Sequence, residues 1–314
     1  LASTRLWIKG QVVLSSAAIE VLIKQKRRFN KVNIEISNIC NLQCSFCPPV
    51  EREKKMMSLE TFQAVISQVA SLTDQVTLHL MGDPLVHPKL EQFLKICSDS
   101  QVPVFLVTNG VLMNEVKEEL LLDPIIRQVN FSLHSFHDNY GDKDPSIYLG
   151  KIFRFTERAF VERPELYINY RLWNLDEPLG VGLQNRSMLD RVCSQFDFAF
   201  DQNIDVRKNK SVRIKNRLHL HFDTEFTWPA LDLPILGERG TCYGLSSHFG
   251  VLADGTVVPC CLDKEGKIPL GNVKDESIEA ILGNEKAQKI LTGFKNNKLV
   301  EKLCQRCNYI TRFN

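Results

Sequence analysis

Seven of the ten cysteines in this 314-residue chain fall into two sets spaced like metal ligands. Cys40, Cys44 and Cys47 form CxxxCxxC within Asn38-Ile-Cys-Asn-Leu-Gln-Cys-Ser-Phe-Cys-Pro48. A closed structural zinc site wants four protein ligands, whereas an iron–sulfur cluster held by three thiolates leaves one iron open. A zinc knuckle that borrows a fourth ligand, or three reduced thiols in a loop, are the plainer readings. Cys242, Cys260, Cys304 and Cys307 form the second set, ending in CxxC. Four cysteines close either one tetrahedral zinc site or one 4Fe–4S cluster. Of the other three, Cys97 and Cys193 lie in helical patterns and read as core. Cys261, beside a ligand, reads as a small buried residue rather than a spare ligand or a hydrogen-atom donor.

The elements that position these sets alternate strand and helix. The run Val32-Asn-Ile-Glu-Ile36 reads as a strand, and the first cysteine loop follows its carboxyl end. Ser58 reads as the N-cap of a helix to about Ala70. Then come strand 75–80, a helix opened by Pro88, strand 102–107, a helix over 115–122 and strand 127–133. A helix near 152–162, strand 166–172 and a helix over 186–196 follow. Either Phe196–Phe200 or Val212–Phe222 supplies a sixth strand. Repeated β-α units with short connections give a parallel sheet with right-handed crossovers. In such folds ligands gather at the carboxyl ends of strands. The polar turns there are Met81-Gly-Asp-Pro84, Thr108-Asn-Gly110, Ser132-Leu-His-Ser135 and Arg171-Leu-Trp-Asn174. Asp254-Gly255 signals a hairpin that draws Cys242 and Cys260 together.

Outside this frame, Ser15 or Ser16 caps a helix through Ala17–Ile23, followed by Lys24, Lys26, Arg27, Arg28 and Lys31. Cations at a helix C-terminus complement its dipole. A second basic run, Arg207 to Arg217, alternates with apolar residues up to His221 and reads as a strand with one wet face. His219 and His221 lie on that strand as surface residues. Gly180-Val-Gly182 is too short for a nucleotide loop.

The length allows one large α/β domain or two domains. A hydrophobic fraction of 44% supports a full core, and a formal net charge of +2 gives no global field for nucleic acid. No apolar run reaches the length of a membrane span, and the first residues lack a secretory pattern. Metal-type cysteine clusters point to a reducing cytoplasm.

At Cys40, Cys44, Cys47 and the aromatic Phe46 the chain resembles the radical S-adenosylmethionine (SAM) enzymes. The resemblance implies a partial (β/α)6 TIM-like barrel of the α/β class over residues 32–231, preceded by a helical extension, 1–31. It implies a 4Fe–4S cluster whose open iron chelates SAM, and a 5′-deoxyadenosyl radical that abstracts hydrogen from a substrate. Met81-Gly82-Asp83-Pro84 resembles the Gly-Gly-Glu-Pro motif that holds the SAM amino group. Met81 stands for the first glycine and Asp83 for the glutamate, so Gly82 and Asp83, or adjacent carbonyls, are the expected contacts. By the same resemblance Ser132 and His134 reach the SAM ribose or carboxylate; Arg171, at the end of strand five, suits a bidentate contact to the SAM carboxylate.

Residues 232–314 resemble the SPASM/Twitch auxiliary-cluster region, a small hairpin and helix unit. Cys242, Gly255 and Cys260 fit its opening motif, and the cysteine count suits the Twitch form with one auxiliary 4Fe–4S cluster. The implied activity is oxidative (dehydrogenation or crosslinking) or epimerising, on a peptide, a protein or a small metabolite. The implied electron donor is of flavodoxin or ferredoxin type. The basic runs leave RNA as a further substrate class. A zinc-stabilised, non-enzymatic binding protein is the contrasting expectation.

Overall fold

A computed structural model describes residues 6–8, 11–13, 29–201 and 203–313. The helix expected over Ala17–Ile23 and the basic residues 24–28 lie outside the described residues. A short antiparallel pair, β1 (Leu6–Ile8) and β2 (Gln11–Val13), stands apart from the main sheet.

Six parallel strands carry the barrel: β3 (Lys31–Ile34), β4 (Val76–Thr77), β5 (Val104–Thr108), β6 (Ile126–Ser132), β7 (Tyr167–Leu175) and β9 (Leu218–Thr224). Helices α1 (Leu59–Val69), α2 (Leu90–Asp99) and α3 (Glu115–Leu121) separate the first four. Between β6 and β7 come α4 (His134–Tyr140) and α5 (Ser146–Glu162), and α6 (Arg186–Phe196) follows β7. Ser58 caps α1 by accepting from the Thr61 N–H, as its residue type suggests. This is the partial (β/α)6 barrel of an α/β protein.

Strand residues alternate in chemistry because the two faces differ. Val32, Ile34, Val76, Val104, Leu106, Val129 and Phe131 are fully buried in the main core. Several of the intervening positions are polar and bond to one another. Thr77 Oγ1 donates to Asn33 Oδ1 (3.0 Å), and Asn169 Nδ2 donates to Asn130 Oδ1 (2.7 Å).

The sixth barrel strand is the later of the two expected segments, and it is not one strand. Asn216 adopts a left-handed φ of 50° and folds the segment into a hairpin of β8 (Ser211–Lys215) and β9. Asparagine tolerates that conformation, which a continuous strand cannot contain. The basic run is satisfied locally. Arg207 pairs with Asp205 (2.9 Å), Lys210 with Asp223 (2.8 Å), and Arg213 Nε donates to Asn216 O (2.7 Å). Arg217 lies over the Tyr167 ring.

Three strands continue the same sheet beyond β3. β10 (His248–Val251) pairs parallel with β3, in the register Phe249 with Val32 and Val251 with Ile34. β11 (Thr256–Val258) returns antiparallel through the expected Asp254-Gly255 turn, and β12 (Gly271–Asn272) pairs with β11. Gly255, at φ 96°, supplies the backbone conformation that turn requires. α7 (Ile278–Gly283) and α8 (Glu285–Lys295) then lead to the last two cysteines.

Candidate active site

The first cysteine loop leaves β3 and is shaped by its own backbone and by α4. The Cys47 N–H donates to Cys44 O (3.1 Å), which closes a tight turn. Asp138 accepts from the Ser45 N–H (2.6 Å) and from its hydroxyl. Asn139 accepts from the Gln43 N–H (2.9 Å) and donates to Cys44 Sγ (3.1 Å). Asn109, from the Thr-Asn-Gly turn, donates to Cys40 Sγ (3.7 Å) and to Asn41 Oδ1 (2.9 Å).

Met81-Gly-Asp-Pro84 packs directly under this loop. Gly82 has a φ of 75°, and a Cβ there would lie 2.4 Å from Ser37 O and 2.7 Å from Ile39 O. Its close approach is therefore to the chain's own backbone. The Asp83 carboxylate is fully committed: it accepts from the Leu85 N–H, the Thr108 hydroxyl and the Asn109 N–H (2.9, 2.9 and 2.7 Å). It ties the second strand's turn to the third's.

One cavity of about 490 Å³ joins the two cysteine sets. Phe46 and Cys47 line one side, and Cys242, Cys260, Cys304 and Cys307 line another. Ser132, His134 and Arg171 also face it. The Phe46 ring packs on His134 (centroids 4.7 Å), and His134 Nδ1 lies 3.1 Å from Arg171 O. Burial holds the His134 pKa down to about 4, so the ring is neutral near pH 7. The Arg171 guanidinium lies 4.2 Å from the Trp173 ring centroid and 5.8 Å from that of Phe105. Desolvation lowers its pKa to about 9.

Sequence reasoning missed several cavity residues. Trp173, which lines the cavity, donates its indole N–H to His221 Nδ1 (3.0 Å), so His221 is half-buried behind that ring rather than on a wet strand face. His79 and Lys31 line the cavity as well. A signal existed: Arg171 and Trp173 are two apart on one strand, as are Lys31 and Asn33, and alternate strand residues share a face.

None of the ten cysteines is in a disulfide. Burial, followed by charge repulsion from neighbouring cysteines, pushes both Cys47 and Cys307 up to about 11. Such crowded thiols lose their protons to a metal rather than to water. Backbone and amide N–H groups point at sulfur in both sets, as Leu42 N does at Cys40 and Gly244 N at Cys242 (3.5 Å each). An all-thiol donor set with N–H support fits iron–sulfur clusters. Among the described residues no three His, Cys or carboxylate groups are gathered to hold a single ion.

Residues 34–187 match the radical SAM superfamily, and residues 242–308 match the SPASM iron–sulfur cluster-binding domain. The chain belongs to the radical SAM superfamily. As a radical SAM enzyme with a SPASM region, it takes a SAM-binding 4Fe–4S cluster, an auxiliary iron–sulfur cluster and SAM itself. The GTP 3′,8-cyclase of Alkaliphilus oremlandii is 29% identical over 271 residues, 74% of this chain and 81% of that protein. BtrN, solved with AdoMet and 2-DOIA, superposes at a TM-score of 0.58 with 18% identity, covering 89% of this chain and 93% of BtrN. Streptococcus suis SuiB bound to its precursor peptide SuiA superposes at 0.59 with 13% identity, covering 94% and 75%. These structural likenesses are of fold. No helix among the described residues is long and apolar enough to cross a membrane.

Proposed function

We propose that this radical SAM enzyme takes a hydrogen atom from a substrate held between its two cysteine sets, and that the net change is an oxidation. The observation that carries this reading is one cavity lined both by Phe46 and Cys47 and by all four cysteines of the second set. Bound at Cys40, Cys44 and Cys47, a 4Fe–4S cluster supplies the electron that splits SAM, and a second at Cys242, Cys260, Cys304 and Cys307 supplies an electron acceptor.

The protein's own part is to hold and orient. Arg171 meets the SAM carboxylate, and Ser132, His134 and Phe46 line its bed. Because the Asp83 carboxylate is spent on its own turn, the SAM ammonium is met by backbone carbonyls beside Gly82. The apolar rings of Phe105, Trp173, Phe226 and Trp228 exclude water from the space where the substrate C–H bond breaks. That hydrogen goes to form 5′-deoxyadenosine. A cluster held by Cys242, Cys260, Cys304 and Cys307 would supply the acceptor for the substrate radical's electron, with a proton released to solvent, so a dehydrogenation or a crosslink follows more directly than an epimerisation.

The four ligands of the second set suit the Twitch form. A cavity of about 490 Å³ takes a small molecule or one side chain of a peptide. A nucleoside triphosphate, as in the name of the cyclase relatives, carries more negative charge than Lys31 and Arg171, the two uncompensated cations among the described residues of the cavity, offset. The one-electron donor is of flavodoxin or ferredoxin type, and the working compartment is a reducing cytoplasm.

Iron and sulfide content after anaerobic reconstitution, with SAM cleavage measured on the same sample, tests this. About eight irons should fall to about four in the Cys40/Cys44/Cys47→Ala variant, with cleavage abolished. Zinc alone in the wild type, without SAM cleavage, would overturn the proposal.

A further inference from the structure

Among the described residues, two cations facing the cavity have no paired carboxylate. The Arg171 guanidinium touches aromatic faces, and among the described residues it has no carboxylate or carbonyl partner. Lys31, which begins β3, lines the same cavity, and its ammonium likewise makes no ion pair or hydrogen bond there. The acids on the lining are occupied elsewhere. Asp223 holds Lys210 (2.8 Å), and Asp263 accepts from the Lys267 and Ile268 N–H groups (2.7 and 2.8 Å).

His79 stands near both cations. Among the described residues its ring makes no hydrogen bond, and Nδ1 is buried without a partner. Burial, then the charges of Arg171 and Lys31, hold it down to about 3. A buried polar group without a partner is costly unless a ligand supplies one. SAM has one carboxylate, and the proposed function gives that to Arg171. Lys31 and His79 are left over.

We infer that Lys31 and His79 form an anion subsite for the substrate, which therefore carries a carboxylate or a phosphate beside an apolar body. The apolar body lies against the rings of Phe105, Phe226 and Trp228 on the cavity wall. The inference rests on the reading of this cavity as the substrate site, and it narrows the substrate to anions. Lys31 also acts on Cys261, next to the second set. Its other conceivable task is thus to balance thiolate charge there.

The test is calorimetric titration of the reconstituted enzyme, with and without SAM, using benzoate and phenyl phosphate as probes. One of them should bind the wild type, and the tighter one identifies the anion as carboxylate or phosphate. Lys31→Met and His79→Phe should each weaken that binding at least tenfold, Lys31→Arg should restore it, and SAM affinity should stay within twofold throughout. No binding of either probe to the wild type, or equal binding by the variants, overturns the subsite. A Lys31→Met variant with a changed auxiliary-cluster EPR signal and unchanged anion affinity overturns it too, and makes Lys31 a counter-charge. Loss of SAM cleavage in the wild type would sink the proposed function instead, and the probe titration would read out independently.

Discussion

Arg52 Nη2 donates to both carboxylate oxygens of Glu35, at 2.9 and 2.8 Å. Glu35 is 0% exposed and Arg52 15%. The same carboxylate accepts from the Met81 and Ala253 N–H groups, and Arg52 Nε donates to Lys264 O. Glu265 accepts from the Glu51 and Arg52 N–H groups, and Lys264 Nζ donates to Pro49 O. The pair thus ties β3, the first cysteine loop, the Met81-Gly82 turn and the C-terminal region together. Arg52→Met strands a buried carboxylate and should cost about 3–5 kcal/mol in urea unfolding. Glu35→Met/Arg52→Met should recover part of it, since the apolar pair removes the stranded charge but leaves the Met81 and Ala253 N–H groups without their acceptor. A double variant as unstable as the single would refute this account.

Asn139 is expected to tune the first cluster. Its amide donates to Cys44 Sγ, and N–H bonds to sulfur favour the more negative, reduced state. Asn139→Ala should lower the reduction potential by about 40 mV, which for one electron is about 1 kcal/mol. An EPR-monitored redox titration reads this directly. The same variant also frees the Gln43 N–H, so the signal should broaden as the loop loosens.

Gly82→Ala tests the packing of the second turn under the cysteine loop. The added methyl meets Ser37 O at 2.4 Å, from a backbone with φ 75°. The variant should lose at least about 2 kcal/mol. Iron retained after reconstitution should fall by about the share of the first cluster, and iron analysis checks it.

Acid should destabilise the chain through its buried histidines. Burial holds His134 and His248 each down to about 4, below the ordinary value of 6.5. Between those values the unfolded state binds the proton and the folded state does not. Stability therefore rises with pH through the window from 4 to 6.5 and is lost as pH falls through it. For His134 the full span is roughly 3 kcal/mol. Urea midpoints at pH 5.5 and 7 should differ, and His134→Phe should flatten the dependence.

The cysteine sets, the strand–helix alternation and the Asp254-Gly255 turn were legible because local spacing and turn chemistry determine them. Helix α6 falls where its pattern puts it, Arg186–Phe196. The cavity was far less legible. Lys31 begins β3, His79 follows the end of β4 and Trp173 lies on β7, and only the curved sheet of the partial barrel brings them to one space. Asp83 was expected to face a ligand, yet its carboxylate turns inward to Thr108 and Asn109, whose N–H and hydroxyl groups lie 25 and 26 residues away in sequence. Motif position identified the turn but not which way its acid points. The hairpin at Asn216 escaped notice because the apolar positions Val212, Ile214, Leu218 and Leu220 stay in phase across it, although Lys215-Asn216-Arg217 interrupts them where φ changes sign.

The parallel seam between β3 and β10 has a consequence for any attempt to divide the molecule. Lys31 through Ile34 bond along one edge to His248 through Val251. Removal of everything from Cys242 onward would bare that edge, with Val32 and Ile34 flanking its open N–H and C=O groups. Exposed edges of this kind recruit strands from other chains. The barrel produced without its C-terminal partner is therefore expected to be an insoluble fragment, and the two regions to be one cooperative folding unit.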